Sequence, residues 1–262
     1  MIELFSNLLI AHILADFPFQ PSSWVEDKKR AKGWTWSMLY HVLVVFVFSF
    51  CALGEQCYRL WWVACVIACT HLLIDVAKVS LTRSGPRSFV LDQFLHIGVL
   101  LAVVRWGSLM PFWNQWRPLA DNSIGVTSSL IAVYLACIWP ANYFVRNVLL
   151  YCHVQDGRTK HSSEGVIICP EDDREKINRS GALIGGLERA IILTFILMGN
   201  YQAAGLTVTA KSLMRVADRD APRSEYVLAG TLMSLAVALV CALLYFVCVM
   251  DATVLVVPGL KV

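Results

Sequence analysis

The sequence predicts an all-α, polytopic transmembrane helical bundle of seven or eight helices, and three observations carry that prediction. Of its 262 residues 57% are hydrophobic and only 16% charged, and the apolar residues come in long runs rather than amphipathic stripes. At about 20 residues per crossing, a chain of this length suits one bundle of seven or eight spans with modest loops. The first helical hairpin is also duplicated. Ala11-His12-Ile13-Leu14-Ala15-Asp16 reads against Thr70-His71-Leu72-Leu73-Ile74-Asp75, and each copy is followed by a hydrophobic segment with one histidine near its start, His41 and then His96.

In chain order, the predicted spans are Ile2 to Phe19, Trp36 to Leu53, Leu60 to Leu81, Phe89 to Trp106, Ser123 to Val148, Ala182 to Gly199, a weaker stretch from Tyr201 to Met214, and Tyr226 to Met250. Pro18, Pro21, Gly54, Pro86 and Pro111 lie at or near their ends, where helices stop. Pro140 instead sits inside the fifth span and predicts a kink. Two regions follow: residues 1–106 with the duplicated hairpins, and residues 107–262 with the C-terminal membrane helices and a polar cytoplasmic loop at 151–180. That loop carries His153, His161 and the acidic run Glu171-Asp172-Asp173.

Charge orients the chain. Lys28, Lys29, Arg30 and Lys32 follow the first span, Lys78, Arg83 and Arg87 the third, and Arg146 through Arg179 the fifth, whereas the alternate loops carry only Arg59, Arg105 and Arg117. Basic loops stay cytoplasmic, so the N-terminus is expected outside, and the seventh segment is expected to enter the membrane, as a crossing or a re-entrant turn. The first residues, Met1-Ile2-Glu3-Leu4, lack a basic n-region and a cleavage site, so the first helix is expected in the mature protein. The net charge of +3 gives no case for nucleic acid as a partner. The nine cysteines lie mostly in apolar runs and read as small core residues, Cys65 and Cys69 included, rather than as a disulfide framework.

Ionisable groups at membrane depth need an explanation, since each costs on the order of 2.5 to 3.5 kcal/mol to insert. His71 with Asp75, Asp92 with His96, and His12 with Asp16 are all spaced i, i+4, which stacks each pair on one helix face. With His41, the topology brings His12, Asp16, His41, His71, Asp75, Asp92 and His96 to one depth near the cytoplasmic leaflet. Gln20, Gln93 and Lys78 fall in the same layer as outer partners. Imidazoles and carboxylates on facing helices are how bundles hold metal, and a mixed nitrogen and oxygen set suits one or two Zn2+ ions best, with Mn2+ or Fe2+ as alternatives. Bound zinc can generate a hydroxide nucleophile. Glu188 and Arg189, two turns into the sixth span, are expected to find partners in the polar layer of the first four helices. There Glu188 or Asp92 would act as acid or base and Arg189 would hold a phosphate or carboxylate.

Five stretches together resemble a known family: His-Ile-Leu-Ala-Asp-Phe with Gln20, His-Leu-Leu-Ile-Asp with Lys78, Leu-Asp-Gln-Phe-Leu-His, Gly185-Gly186-Leu187-Glu188-Arg189, and Ala210-Lys211-Ser212 before Glu225-Tyr226-Val227-Leu228-Ala229-Gly230-Thr231-Leu232. They resemble the bacterial integral-membrane family catalogued as domain of unknown function 3307, over nearly the whole chain except 151–180. The resemblance implies a bacterial inner-membrane protein. More distantly, the paired intramembrane His and Asp residues are similar to those of membrane-bound metal-dependent hydrolases.

Three readings follow. A metal-dependent hydrolase would act on a lipid-linked ester or phosphoester from the cytoplasmic leaflet, with membrane lipids as its surroundings. A proton- or ion-coupled transporter would use the same His and Asp chain, although the outer halves of these helices are nearly pure hydrocarbon. A metal-stabilised accessory protein would bind the ion without turnover, and the bland alternative is polar glue between helices.

Overall fold

The computed structural model describes residues 2–31, 35–81, 85–109, 122–152, 171–216 and 221–249. Among them are nine α-helices and no strand: α1 Ile2–Asp16, α2 Ser22–Ala31, α3 Trp36–Ala52, α4 Cys57–Leu81, α5 Pro86–Leu109, α6 Asn122–Tyr151, α7 Glu171–Leu197, α8 Tyr201–Val216 and α9 Ala221–Val249. The helix beyond the expected eight is α2. It is short and polar, and the sequence reading took it for a loop.

Four helices contain stretches long and apolar enough to cross a membrane: Cys57–Ser80, Pro86–Trp106, Gly125–Tyr151 and Leu228–Val247, with Trp36–Ala52 a shorter apolar helix. Their outward faces carry Trp61, Trp62, Leu73, Phe94, Leu101 and Leu243, all exposed. Water would oppose such a surface and hydrocarbon favours it, so the chain is built as a membrane protein. At 1.5 Å per residue, the 15 residues of α1 and the 16 of α8 reach only about 22–24 Å, short of a ~30 Å core.

The chain divides into two compact units, residues 1–135 and 136–262. In the first unit α1 packs against α3 and α5, and α4 against the same two, giving a closed four-helix ring with α2 lying on α3. Thr35 caps α3 by accepting the Met38 amide at 3.2 Å, and Gly54, with φ +58°, turns the chain into α4. Away from the polar residues the ring is filled by Leu4, Leu8, Val45, Leu53, Leu60, Val63, Leu100 and Val104. The first part of α6 is joined to α1 by a 2.8 Å contact between the Ser6 and Ser129 hydroxyls.

In the second unit α7, α8 and α9 pack on one another. Gly199, φ +71°, ends α7; the Asn200 amide donates back to the Phe195 carbonyl at 2.8 Å, and the Asn200 side chain caps α8 by accepting the Ala203 amide. Helix α7 starts at Glu171, so the acidic run opens a helix instead of lying in a loop. His153 and His161 fall outside the described residues.

Candidate metal centre

The duplicated motif determines where the polar side chains meet. His12 and Asp16 lie in the last turns of α1, His71 and Asp75 toward the end of α4, His41 early in α3, and Asp92 with His96 early in α5. Because the ring alternates its helix directions, all seven converge at one end of the bundle. His12, His41, His71, Asp75, Asp92 and His96 are buried, and the Asp16 side chain is only 10% exposed. Within the ring each helix stands diagonal to its repeat counterpart, α1 to α4 and α3 to α5. Ring centroids of His41 and His71 stand 5.0 Å apart, and those of their repeat counterparts, His96 and His12, 5.1 Å.

At the centre three ligand atoms form a triangle. His41 Nε2 is 3.0 Å from His71 Nε2, His71 Nε2 is 3.3 Å from Asp16 Oδ1, and His41 Nε2 is 3.5 Å from Asp16 Oδ1. For tetrahedral zinc with bonds of 2.0–2.1 Å, the ligand-to-ligand edge is about 3.3–3.4 Å. The triangle therefore has the dimensions of one face of a coordination tetrahedron. Asp75 stands slightly farther off, with Oδ2 3.8 Å from His41 Nε2 and Oδ1 4.0 Å from His71 Nε2. Ligand atoms of His12, Asp16 and His71, of His41, His71 and Asp75, and of Asp75, Asp92 and His96 each lie within 4.8 Å of one another.

Several of these atoms are buried without a hydrogen-bond partner among the described residues: His12 Nε2, Asp16 Oδ1, His41 Nδ1, Asp92 Oδ1 and His96 Nε2. Orphaned polar atoms are costly, and Asp16 Oδ1, which stands in the triangle, is one that a cation there would satisfy. His96 shows the tautomer logic. Its Nδ1 lies 2.8 Å from the Asp92 carbonyl, which can only accept, so Nδ1 carries the proton and Nε2 presents a lone pair.

Lysines complete the site. Lys28 Nζ lies 2.6 Å from Asp75 Oδ2, and Lys78 Nζ 2.6 Å from Asp92 Oδ2. Gln93 donates to Asp92 Oδ2 at 3.2 Å. Gln20, with its amide turned to suit both neighbours, donates to the Asp16 carbonyl at 3.2 Å and accepts from Lys28 at 2.9 Å. Gln20, Gln93 and Lys78 thus border the cluster, as their layer in the sequence suggested. Lys28 is the residue that sequence reasoning missed. The sequence places it in a basic loop, yet it lies in α2 with its side chain buried. The helix that carries it is tied down by Ser37 Oγ donating to Asp27 at 2.8 Å and by stacking of Trp24 on Tyr40.

Glu188 and Arg189 have their partners elsewhere than expected. Glu188 is ion-paired with Lys211 of α8. Arg189, 2% exposed, donates through Nε to the Cys137 carbonyl at 2.8 Å and through its other nitrogens to the Ile138 carbonyl, Ser234 Oγ and Asn142 Oδ1. Pro140 lies inside α6 and leaves the Ala136 carbonyl without its helical donor; the two carbonyls that Arg189 contacts, Cys137 and Ile138, are the next in the chain. Both residues are engaged inside the second unit. Cys65 and Cys69 belong to none of the ligand groups formed by the described residues.

Residues 4–118 match the family described as protein of unknown function (DUF3307). The four-helix ring belongs to the DUF3307 family. The match covers α1 to α5 and with them every His and Asp of the cluster, whereas the resemblance read from the sequence extended over nearly the whole chain. Gly185 to Arg189 and Ala210 to Ser212 lie beyond the matched DUF3307 region. Neither the curated proteins nor the solved structures give a match.

Proposed function

We propose that the DUF3307 ring binds a divalent transition metal, Zn2+ best and Mn2+ or Fe2+ as alternatives, and uses it to hydrolyse a lipid-linked ester or phosphoester at the cytoplasmic leaflet of a bacterial inner membrane. One observation carries the metal: the triangle of His41 Nε2, His71 Nε2 and Asp16 Oδ1, with edges of 3.0, 3.3 and 3.5 Å. Two imidazoles and a carboxylate are a set found in hydrolytic zinc sites, where a fourth position stays open for water. Asp75 beside that position is the group to orient the water. Lys78, whose side chain is 38% exposed beside Asp92, supplies positive charge suited to a phosphate. The bias of basic loop residues supports an N-terminus outside and a site on the cytoplasmic side.

A second reading draws on one specific observation. Lys28, Asp75, His71, Asp16 and His41 follow one another at separations between 2.6 and 4.0 Å, a run of ionisable groups of the kind that carries protons within membranes. Metal analysis of protein purified in detergent separates the two. Stoichiometric zinc, lost in Asp16→Ala, with hydrolysis of lipid-linked esters supports the hydrolase. Zinc without turnover leaves a metal-stabilised accessory protein, and no metal with pH-driven flux in vesicles supports the relay.

A further inference from the structure

We infer that the duplicated cluster takes a single metal ion because the charge of its second half is already balanced by the chain's own ammonium groups, Lys28 on Asp75 and Lys78 on Asp92. The inference rests on the metal reading above and settles its stoichiometry. The repeat pairs His41 with His96, His71 with His12 and Asp16 with Asp75, so in sequence the triangle of His41, His71 and Asp16 has a counterpart in His96, His12 and Asp75, of which His96 and Asp75 fall in one ligand group among the described residues. Asp92 joins that counterpart, and its ligand atoms lie within 4.8 Å of those of Asp75 and His96. By donor set alone the protein would have two cation sites.

Charge distinguishes the halves. Asp16 has only imidazoles beside it, at 3.3, 3.5 and 3.9 Å. Asp75 and Asp92 each hold a lysine nitrogen at 2.6 Å on Oδ2, so the negative charge of each carboxylate is already paired. Taking the imidazoles as neutral, the state in which they ligate, three carboxylates and two ammonium groups sum to −1. One divalent ion makes that +1, or zero with a bound hydroxide. Two ions would make it +3 in a buried setting, where uncompensated charge is strongly disfavoured. Without the two lysines the carboxylates sum to −3, and two ions then give the same +1 that one ion gives the native chain.

The donors for the second ion are in place. His96 and Asp92 are 3% and 4% exposed, and His96 Nε2, Asp92 Oδ1 and His12 Nε2 have no partner among the described residues. The repeat itself records the difference: Ser37 stands where its counterpart has Asp92, four residues before the histidine in each copy.

The test counts metal in full-length protein loaded with excess Zn2+ in detergent and then desalted. The native chain is expected to keep one equivalent and Lys28→Met/Lys78→Met two. Lys78→Met alone, at a side chain 38% exposed and so tolerant of change, brings the sum to −2, so that two ions sharing one bound hydroxide give +1, and it provides a second measurement. Loaded with Mn2+, it is expected to show the broadened electron paramagnetic resonance signal of two coupled ions, where the native chain shows a single uncoupled ion. Two equivalents in the native chain, or one equivalent and no coupling in both variants, overturns the inference while leaving the metal site standing. No metal in any of the three overturns the metal reading and this inference together.

Discussion

Asp75→Asn tests the polar end of the ring without reference to any metal. The substitution keeps the shape of the side chain and one acceptor oxygen but removes the charge that faces Lys28 Nζ at 2.6 Å. The Lys28 side chain is only 6% exposed, so solvent cannot replace the lost partner. Breaking a buried pair from one side costs about 3–5 kcal/mol. Because the amide oxygen still accepts a hydrogen bond, the expected loss is at the lower end, about 3 kcal/mol, or roughly a hundredfold in the unfolding constant. The measurement is reversible unfolding in mixed micelles with chelator present, followed by tryptophan fluorescence. Replacing both partners with apolar residues, Lys28→Met/Asp75→Leu, should recover most of the loss, since a hydrophobic pair is often as stable as a buried ion pair. If Asp75→Asn unfolds within about 0.5 kcal/mol of the native chain, or the double variant is no better than the single, Lys28 does not sit buried on Asp75 and the role given to α2 is wrong.

Other outcomes follow from the same geometry. His41→Ala removes one corner of the ligand triangle and should weaken zinc binding by more than about a hundredfold, read by competition with a chromophoric chelator. Zinc at 100 times its Kd should stabilise the native chain by about 2.7 kcal/mol in thermal unfolding, and Asp16→Ala should not respond. In the second unit a Cβ at Gly186 would meet Ile138 Cγ2 at 3.4 Å and Asn142 Nδ2 at 3.7 Å. Alanine there should be accepted, while Gly186→Leu should cost about 1–3 kcal/mol by overpacking. Arg189→Leu leaves the Cys137 carbonyl without its donor and should cost about 1–3 kcal/mol in the same unfolding assay.

The ring was legible in the sequence because helical spacing alone stacks His12 on Asp16 and His71 on Asp75, and the apolar runs around them leave a bundle interior as the place for charge. The repeat then ordered the four helices. Lys28 was not legible. Ser-Ser-Trp-Val-Glu-Asp-Lys-Lys-Arg-Ala has the composition of a solvated basic loop, and only the approach of Asp75, 47 residues away, distinguishes Lys28 from its basic neighbours. Glu188 and Arg189 illustrate the same limit from the other side. Their adjacency does mean that one helix face cannot serve both, and they indeed point to separate partners. That Lys211 and the carbonyls beside Pro140 would be those partners depends on how α7 packs in its own unit, and residue type carries no trace of that. The start of α7 at Glu171 was hidden because acidic residues suit both a loop and the first turn of a helix.

The diagonal placement of the two hairpins has an evolutionary corollary. A lone copy of the α1–α3 hairpin would offer a surface that only its own twin could close, so the present ring has the architecture of a homodimer fused into one polypeptide. Fusion frees the two partners to diverge. An ancestor bound by strict symmetry would have had to place the same residues in both halves, whereas a single gene can leave Asp16 among imidazoles in one and lend Asp75 and Asp92 to lysines in the other.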